Sequence, residues 1–145
     1  MAEVLIVAAE ASADLHASGV VRALQARRPG TRFAGVGGDR LRAAGVELVT
    51  HAETLAVMGF AEVLRHVPKH WRLLRALEAR MRAGDVRLVV LLDYPGFNMK
   101  LAAAARRAGV PVLYYVTPQV WAWGAKRIPK LAALVTKAAV IFRFE

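Results

Sequence analysis

The sequence predicts an α/β domain in which a Rossmann-like parallel sheet is flanked by helices. Short apolar runs alternate with segments of helical length, and the longest run, 88–92, stops abruptly at Asp93, the turn 94–96 and Asn98. A fully apolar run is typical of a strand that is buried on both faces. Because open α/β sheets bind ligands beyond the carboxyl ends of their strands, Asp93 is predicted at the ligand-binding edge.

The remaining elements follow in chain order. The predicted strands are Val4 to Ala8, Phe33 to Val36, Val46 to Val49, 88–92, Val112 to Val116 and Ala139 to Phe142. The predicted helices run from after Asp14 to near Pro29, and over Asp39 to Ala44, Pro68 to about Met81, Asn98 to Ala108 and Ala125 to Leu134. Pro68 is expected to begin its helix, because the first helical position needs no N–H. Strands joined through helices pair in parallel through right-handed crossovers.

Composition indicates one folded domain. The chain has 145 residues, of which 57% are hydrophobic and 22% charged, so it can bury a sizeable core and is not typical of disorder. The absence of cysteine excludes disulfides and thiolate metal sites. The first residues run straight into a strand, and no apolar stretch approaches the roughly 18 residues of a membrane span, so a cytoplasmic protein is expected.

The net charge of +10 predicts an anionic partner, which could be nucleic acid, an acidic membrane surface or a phosphorylated substrate. Composition alone does not choose among them. Nucleic acid is disfavoured because the aromatic residues are not interleaved with the basic ones and no nucleic-acid motif is present.

The first turn, Ala9 to Asp14, carries carboxylates where a dinucleotide-binding protein has glycines. A pyrophosphate needs close backbone approach and would be repelled by Glu10 and Asp14, so no nicotinamide or flavin cofactor is predicted. Glu10 and Asp93 follow the first and fourth strands and could converge at one edge, where either could accept a proton from a substrate hydroxyl. In the structural alternative, Asp14 caps the helix that follows and Asp93 orders its turn.

Two other features give weaker signals. The stretch Gly35 to Gly38 could direct backbone amides at a phosphate or sugar, but a tight strand-to-helix turn without a ligand is favoured. Among the histidines, His66 and His70 have helical i, i+4 spacing. Because Pro68 interrupts that helix and no third ligand is near, no metal site is predicted.

Residues 60–71 form a basic amphipathic segment. Its apolar side consists of Phe60, Val63, Leu64, Val67 and Trp71, and its polar surroundings of Arg65, His66, Lys69, His70, Arg72 and Arg75. Such a segment suits a membrane interface, where apolar groups enter the acyl boundary and arginines meet lipid phosphates. The alternative is that the apolar side packs on the sheet, as most such stripes do.

A loop rich in aromatic residues follows the fifth strand. Residues 114–123 contain two tyrosines, two tryptophans, Pro118 and the Gln119 amide. Aromatic faces with a side-chain amide are the usual means of holding a sugar or an acyl chain, so a functional loop is favoured over simple burial.

The order and spacing of short motifs carry a family resemblance. These motifs are 9–14, 35–38, 55–64, 93–98, 115–123 and the terminal Phe144-Glu145. Together they resemble lipid-A-disaccharide synthase over the whole chain, and the Pro-Gln-Val-Trp-Ala-Trp sequence at 118–123 is the most specific of them.

The resemblance implies the N-terminal domain of an inverting GT-B glycosyltransferase that needs no metal or other cofactor. Its donor is UDP-2,3-diacylglucosamine, its acceptor 2,3-diacylglucosamine 1-phosphate, and its products the lipid A disaccharide 1-phosphate and UDP. Asp93 is implied to be the general base, with Glu10 beside it near the acceptor. The implied substrate-binding residues are Ser12, Asn98, Gln119 and Trp121. The segment 60–72, including Arg72, is implied to touch the anionic inner face of the membrane.

The chain also departs from the family pattern. Ala9 and Ala13 replace residues that are usually glycine, and Arg143 replaces a proline. Residues 1–145 are expected to form the acceptor-side domain, with the C-terminal UDP-sugar-binding domain absent, so the chain alone should lack turnover.

Three functions therefore stay open: the acceptor half of a glycosyltransferase that works when a C-terminal half is supplied, a non-catalytic lipid or membrane-surface binding module, and a generic nucleotide-binding domain. The sequence also leaves open whether copies of the chain associate.

Overall fold

The computed structural model describes residues 2–55, 60–115 and 125–139, with the side chains of 60–66 and 125 outside that description. The strands are β1 (Glu3–Ala8), β2 (Arg32–Gly37), β3 (Glu47–His51), β4 (Val86–Leu92), β5 (Val112–Tyr115) and β6 (Lys137–Ala139). They form one sheet in the order β3-β2-β1-β4-β5-β6, and all the neighbouring pairs are parallel. The predicted fold class is confirmed.

Helices connect successive strands. They are α1 (Ala11–Arg27), α2 (Asp39–Ala43), α3 (Phe60–Arg82), α4 (Pro95–Arg107) and α5 (Ile128–Leu134), with short 3-10 turns at Ala52–Leu55 and Ala125–Arg127. The strand order reverses direction between β1 and β4. In doubly wound folds this switch point is where the loops diverge and leave a crevice.

Two apolar cores cover the two faces of the sheet. Val89 and Leu91 of β4 pack into one core together with residues of α3 and α4, while Val90 and Leu92 pack into the other with residues of α1 and α2. Alternate strand residues point to opposite faces, so a strand covered on both sides must be apolar throughout. Burying each large apolar side chain contributes about 1.5–3 kcal/mol, which explains why this run anchors the domain.

Several predicted boundaries are wrong. Helix α3 begins at Phe60, and Pro68 lies inside it rather than at its start. An interior proline costs about 3 kcal/mol through a lost hydrogen bond and a clash. Three buried side chains of α3 pack in the core and outweigh that cost: Leu73, Leu77 and Met81. His66 and His70 therefore lie on one continuous helix, contrary to expectation.

The other starts also shift. Helix α1 begins at Ala11, before Asp14, and α4 begins at Pro95, three residues before Asn98, with the proline at its permissive first turn. Strand β6 begins at Lys137. The expected continuations of β5 to Val116 and of β6 beyond residue 139, and the aromatic loop 117–124, lie outside the described residues.

Gly35 is required by the close approach of β2 to β1. Its φ is +146°, and a Cβ built there would lie 2.0 Å from the carbonyl oxygen of Ile6. Any side chain would therefore push the two strands apart. This accounts for the first glycine of the stretch at 35–38 without a ligand.

An ion-pair network closes the end of the sheet opposite the switch point. Nε of Arg80 lies 3.1 Å from Glu3, whose side chain is only 5% exposed, and the guanidinium also binds the exposed Glu47 at 3.0 Å. The hydrogen bond from Arg80 holds the pKa of Glu47 below its ordinary value. Arg32, 3.8 Å from Glu3, is a more distant partner.

Arg80→Met is expected to lower the free energy of unfolding by about 2–4 kcal/mol, because it leaves the Glu3 carboxylate buried with a weak partner. The matched variant Arg82→Met should cost less than about 1 kcal/mol, since Glu78 keeps Arg107 at 3.4 Å. Urea denaturation measures both, and equal losses would contradict the assignment.

The pH dependence of the Arg80 contribution follows from the lowered pKa of Glu47. The stability that Glu47 contributes is present above its ordinary pKa of 4.5 and is lost as pH falls through its lowered value. The difference in unfolding free energy between the unsubstituted chain and Arg80→Met should therefore shrink in acid.

Candidate functional site

The candidate site lies where β1 and β4 end side by side. The last paired residues are Ala8 and Leu92, so the turns that carry Glu10 and Asp93 leave the sheet next to each other at the switch point. This is the position at which open α/β sheets bind ligands. The topology therefore brings together the two carboxylates that the sequence analysis singled out.

The turn after β4 has an unusual backbone. Asp93 and Tyr94 have φ angles of 45° and 48°, in the left-handed region that non-glycine residues rarely adopt. Each such residue costs roughly 1–2 kcal/mol, and the conformation persists only where surrounding contacts enforce it. The backbone at Asp93 is therefore constrained directly after β4.

Two buried side chains hold this backbone by its carbonyl oxygens. Nδ2 of Asn98 donates to the Asp93 oxygen at 2.7 Å and to the Leu92 oxygen at 3.3 Å, and the Tyr114 hydroxyl donates to the Asp93 oxygen at 2.5 Å. Asn98 and Tyr114 are both completely buried. Asn98 thus acts on the turn, and its contact with a sugar or phosphate stays a prediction.

The amide orientation of Asn98 follows from its neighbours, because both of those carbonyls need a donor. Its Oδ1 is buried and has no hydrogen-bond partner among the described residues. Burial raises the pKa of Tyr114, the Asn98 side chain offsets part of the rise, and the Asp93 charge adds to it. Tyr114 therefore remains a neutral donor to the turn.

A ring cluster supports the next residue. Nε2 of His70 on α3 lies 2.5 Å from the hydroxyl oxygen of Tyr94. The Phe97 ring completes the cluster, with centroids 6.0 Å from His70 and 6.2 Å from Tyr94. Burial, and after it the charge of Glu10, raises the pKa of Tyr94.

Glu10 and Ser12 lie exposed at the start of α1. Glu10 is the N-cap residue, with extended backbone, but its side chain makes no capping hydrogen bond. Its carboxylate therefore does not cap α1. Neither Glu10 nor the Asp93 carboxylate takes part in a hydrogen bond within the part of the chain that the structure describes.

Asp14 does not cap α1, contrary to the structural alternative. It lies inside the first turn of α1, is buried, and accepts hydrogen bonds from the backbone N–H groups of Gly38 at 2.7 Å, Arg40 at 3.0 Å and Leu41 at 3.2 Å. These amides belong to the N-terminus of α2. The backbone N–H groups at and just after the end of the stretch 35–38 are thus bound by an internal carboxylate.

A groove of about 430 Å³ separates α3 from α4 beside the Tyr94 turn. Its walls include Val67, Trp71, Leu74, Tyr94, Phe97 and Lys100. Val67 is 55% exposed and Trp71 56%, and the Arg75 guanidinium lies 4.8 Å from the Trp71 ring centroid. Arg72, which the sequence analysis assigned to a membrane interface, is also exposed in this part of α3. The apolar side of the segment is thus not fully packed on the sheet.

Some predicted site residues cannot be compared with the structure. Gln119 and Trp121 lie outside the described residues, as do the side chains of Phe60, Val63 and Leu64. Within 2–55, 60–115 and 125–139, no group of three or more potential metal-binding side chains comes together. None of the helices in these ranges combines the length and apolar character needed to cross a bilayer.

Comparisons with known proteins agree with the motifs. The family model described as Lipid-A-disaccharide synthetase matches residues 4–145. A lipid-A-disaccharide synthase of Geobacter metallireducens is 46% identical over 142 residues, covering 98% of this chain and 37% of that protein. A synthase of Anaeromyxobacter sp. (strain K) is also 46% identical, covering 99% of this chain and 37% of that one. The chain thus spans little more than a third of the length of these curated relatives.

A solved structure shares the fold. The crystal structure of MurG from Acinetobacter baumannii superimposes with a TM-score of 0.60 at 15% identity, covering 99% of this chain and 42% of that one. At this identity the likeness shows the fold alone. It agrees with the predicted Rossmann-like domain of the GT-B type.

Proposed function

The chain belongs to the lipid-A-disaccharide synthetase family, and from that membership we propose that it is the acceptor-binding domain of a glycosyltransferase. In this proposal the donor is UDP-2,3-diacylglucosamine and the acceptor is 2,3-diacylglucosamine 1-phosphate. A C-terminal domain, supplied separately, binds the UDP-sugar and faces the switch point. The products are the lipid A disaccharide 1-phosphate and UDP.

The observation that carries this proposal is the strained turn on which Asp93 leaves β4 at the switch point. Asp93 acts as the general base: it takes the proton from the acceptor hydroxyl as that oxygen bonds to the donor sugar carbon. The bond from that carbon to the UDP oxygen breaks, and UDP leaves with the electron pair. A base must be held in a fixed direction to work, and the clamp formed by Asn98 and Tyr114 supports that role.

Glu10 and Ser12 are proposed to bind the acceptor. Both are exposed beside the turn, and the effect of Glu10 on the pKa of Tyr94 supports its nearness to Asp93. A carboxylate and a hydroxyl suit sugar hydroxyl groups as hydrogen-bond partners. Gln119 and Trp121 remain assigned to the sugar on the resemblance, and Asn98 contributes through the turn.

The exposed part of α3 is proposed to rest on the anionic inner face of the cytoplasmic membrane. Val67 and Trp71 enter the acyl boundary, and Arg72 meets lipid phosphates. Phe60, Val63 and Leu64 are proposed to extend the same surface. The net charge of +10 supports attraction to such a surface.

Combining Trp71→Ala with Arg72→Ala is expected to weaken binding to vesicles containing phosphatidylglycerol by at least about tenfold, because both an apolar and an ionic contribution are lost. Vesicle co-sedimentation measures it, with neutral vesicles alongside. The matched control combines Leu15→Ala with Arg22→Ala on α1, where Leu15 is also exposed, and should bind normally. Equal weakening by both pairs would contradict this interface.

The test of the proposed reaction uses this chain mixed with a separately expressed C-terminal half from a family relative. The mixture should release UDP from the diacyl sugar nucleotide when the acceptor is present, and neither half should do so alone. No release from a mixture that forms a complex would overturn the glycosyltransferase proposal.

The second candidate is a non-catalytic lipid or membrane-surface binding module. The open groove beside Trp71 favours it, because a lipid could be held there without any donor domain. Vesicle binding that persists while no mixture releases UDP would select this function. Binding of UDP to this chain alone would instead select the third candidate, a nucleotide-binding domain.

A further inference from the structure

We propose that His70 is a positioning residue for the Asp93 carboxylate and that it acts through Tyr94. The inference rests on the proposed function for its kinetic consequence, but its structural part stands independently. The relevant geometry is the short contact between Nε2 of His70 and the Tyr94 hydroxyl oxygen, at 2.5 Å. His70 itself does not need to touch a substrate.

The turn needs support at both of its residues. The carbonyl oxygen of Asp93 is held by Asn98 and Tyr114, which fixes the peptide unit between residues 93 and 94. The Tyr94 carbonyl oxygen accepts a hydrogen bond from the Asn98 N–H at 3.0 Å, so hydrogen bonds hold the backbone on both sides of Tyr94, whose φ is 48°. Because the two residues share this peptide unit, relaxing Tyr94 toward an ordinary φ would also disturb Asp93.

The Tyr94 side chain provides a further support, which comes from outside the turn. Its ring packs against His70 and Phe97, with centroids 6.0 Å and 6.2 Å away, and its hydroxyl reaches the His70 ring. Phe97 lies only three residues further along the chain, whereas His70 lies 24 residues earlier, on α3. The contact from α3 therefore ties the turn to a separate element of the fold.

Helix α3 is a suitable anchor. One turn beyond His70, Leu73 is 4% exposed, and Leu77 is completely buried. A functional group is held most precisely when its support comes from a packed helix rather than from a loop. The contact of His70 with the Tyr94 hydroxyl thus fastens the turn that carries Asp93 to a packed helix.

The same arrangement links the site to the surface of α3. Trp71, the residue after His70, is exposed and lines the groove next to Tyr94. A histidine at this place has a role that an apolar residue could not fill, because its side chain can hydrogen-bond the Tyr94 hydroxyl as well as pack on Phe97. Leucine at position 70 would retain the packing and lose the hydrogen bond.

The structural test uses nuclear magnetic resonance of this chain with assigned backbone amides. His70→Leu and Tyr94→Phe should each shift the Asp93 and Tyr94 amide signals in the same direction, and the double variant should shift them no further. His70→Gln, whose amide can bind the hydroxyl, should restore most of the original positions. The control His16→Leu, an exposed histidine on α1, should leave Asp93 unchanged.

The kinetic test uses the mixture with the C-terminal half. His70→Leu should lower kcat by about 10- to 100-fold with the acceptor KM little changed, since misplacing a catalytic group has effects of that size. His70→Gln should recover most of the rate. Unchanged Asp93 signals in both His70→Leu and Tyr94→Phe, or shifted signals with unchanged kcat, would overturn the inference. Failure of the unsubstituted mixture to release UDP would instead overturn the proposed function, and the amide signals would still decide whether His70 holds the turn.

Discussion

Asp93→Asn is expected to lower kcat of the enzyme reconstituted with its C-terminal half by about 10²- to 10⁴-fold, the usual contribution of a general base. Asparagine keeps the shape of the side chain and is among the few residues that tolerate the left-handed backbone found at this position, with its φ of 45°. The turn should therefore survive, and the loss should come from the missing carboxylate. UDP release under saturating substrates measures it.

Asp93→Gly separates the base from the backbone. Glycine adopts positive φ without strain, so the turn should fold at least as well as before, yet the rate should fall as far as in Asp93→Asn. Alanine is a poorer choice, because its Cβ would add a backbone penalty of roughly 1–2 kcal/mol to the loss of the carboxylate. Similar kcat values for the asparagine and glycine variants would assign the effect to the carboxylate.

Two matched carboxylate variants complete this test. Asp85→Asn removes an exposed carboxylate just before β4, at the opposite end of the same strand, and should leave kcat unchanged. Glu10→Gln should reduce the rate less than Asp93→Asn, because Glu10 is proposed to bind the acceptor rather than take its proton. A larger loss in Glu10→Gln than in Asp93→Asn would reverse the two roles.

The sequence was sufficient to predict where Asp93 lies in the fold, for a simple physical reason. A strand buried on both faces has to be apolar throughout, so 88–92 could be identified without knowing its neighbours. The rule that ligands bind beyond the carboxyl ends of parallel strands then located Asp93. The order of the strands brought Glu10 to the same edge, as expected.

The details of the turn could not be predicted, because they depend on contacts between distant segments. Tyr114 is separated from Asp93 by 21 residues and His70 from Tyr94 by 24. In the sequence, Tyr114 counted only toward the aromatic stretch 114–123, and nothing there indicated that its hydroxyl binds the Asp93 carbonyl. Local rules also misplaced the start of α3, since packing of its later turns outweighs the cost of Pro68.

Asp14 is the clearest case in which a local rule gave the wrong partner. An aspartate shortly after a strand is a common N-cap, but this one accepts three backbone hydrogen bonds from the start of α2, 24 to 27 residues away. A Cβ at Gly38 would lie 2.7 Å from its carboxylate, so the glycine there allows the close approach. Asp14 therefore joins α1 to α2 and substitutes for an external anion.

Asp14→Ala is expected to lower the free energy of unfolding by about 3–5 kcal/mol, because it leaves buried N–H groups without acceptors and removes charge-assisted hydrogen bonds. Asp14→Asn should cost less, since one oxygen remains to accept. The control Asp39→Ala removes an exposed carboxylate from the first turn of α2 and should cost less than about 1 kcal/mol. Urea denaturation measures all three, and a loss in Asp14→Ala as small as that of Asp39→Ala would contradict the assignment.

The same contact predicts chemical rescue. Removing the side chain in Asp14→Gly opens a space at the N-terminus of α2 whose N–H groups still point into it, and formate carries the carboxylate that was lost. Formate should therefore bind the folded state of Asp14→Gly and raise its melting temperature as the formate concentration increases. The melting temperature of the unsubstituted chain should not respond in this way. A chloride control at equal ionic strength separates binding from screening. Equal effects of the two salts would mean that the amides of Gly38, Arg40 and Leu41 do not need a carboxylate, and the link between α1 and α2 would have to come from packing alone.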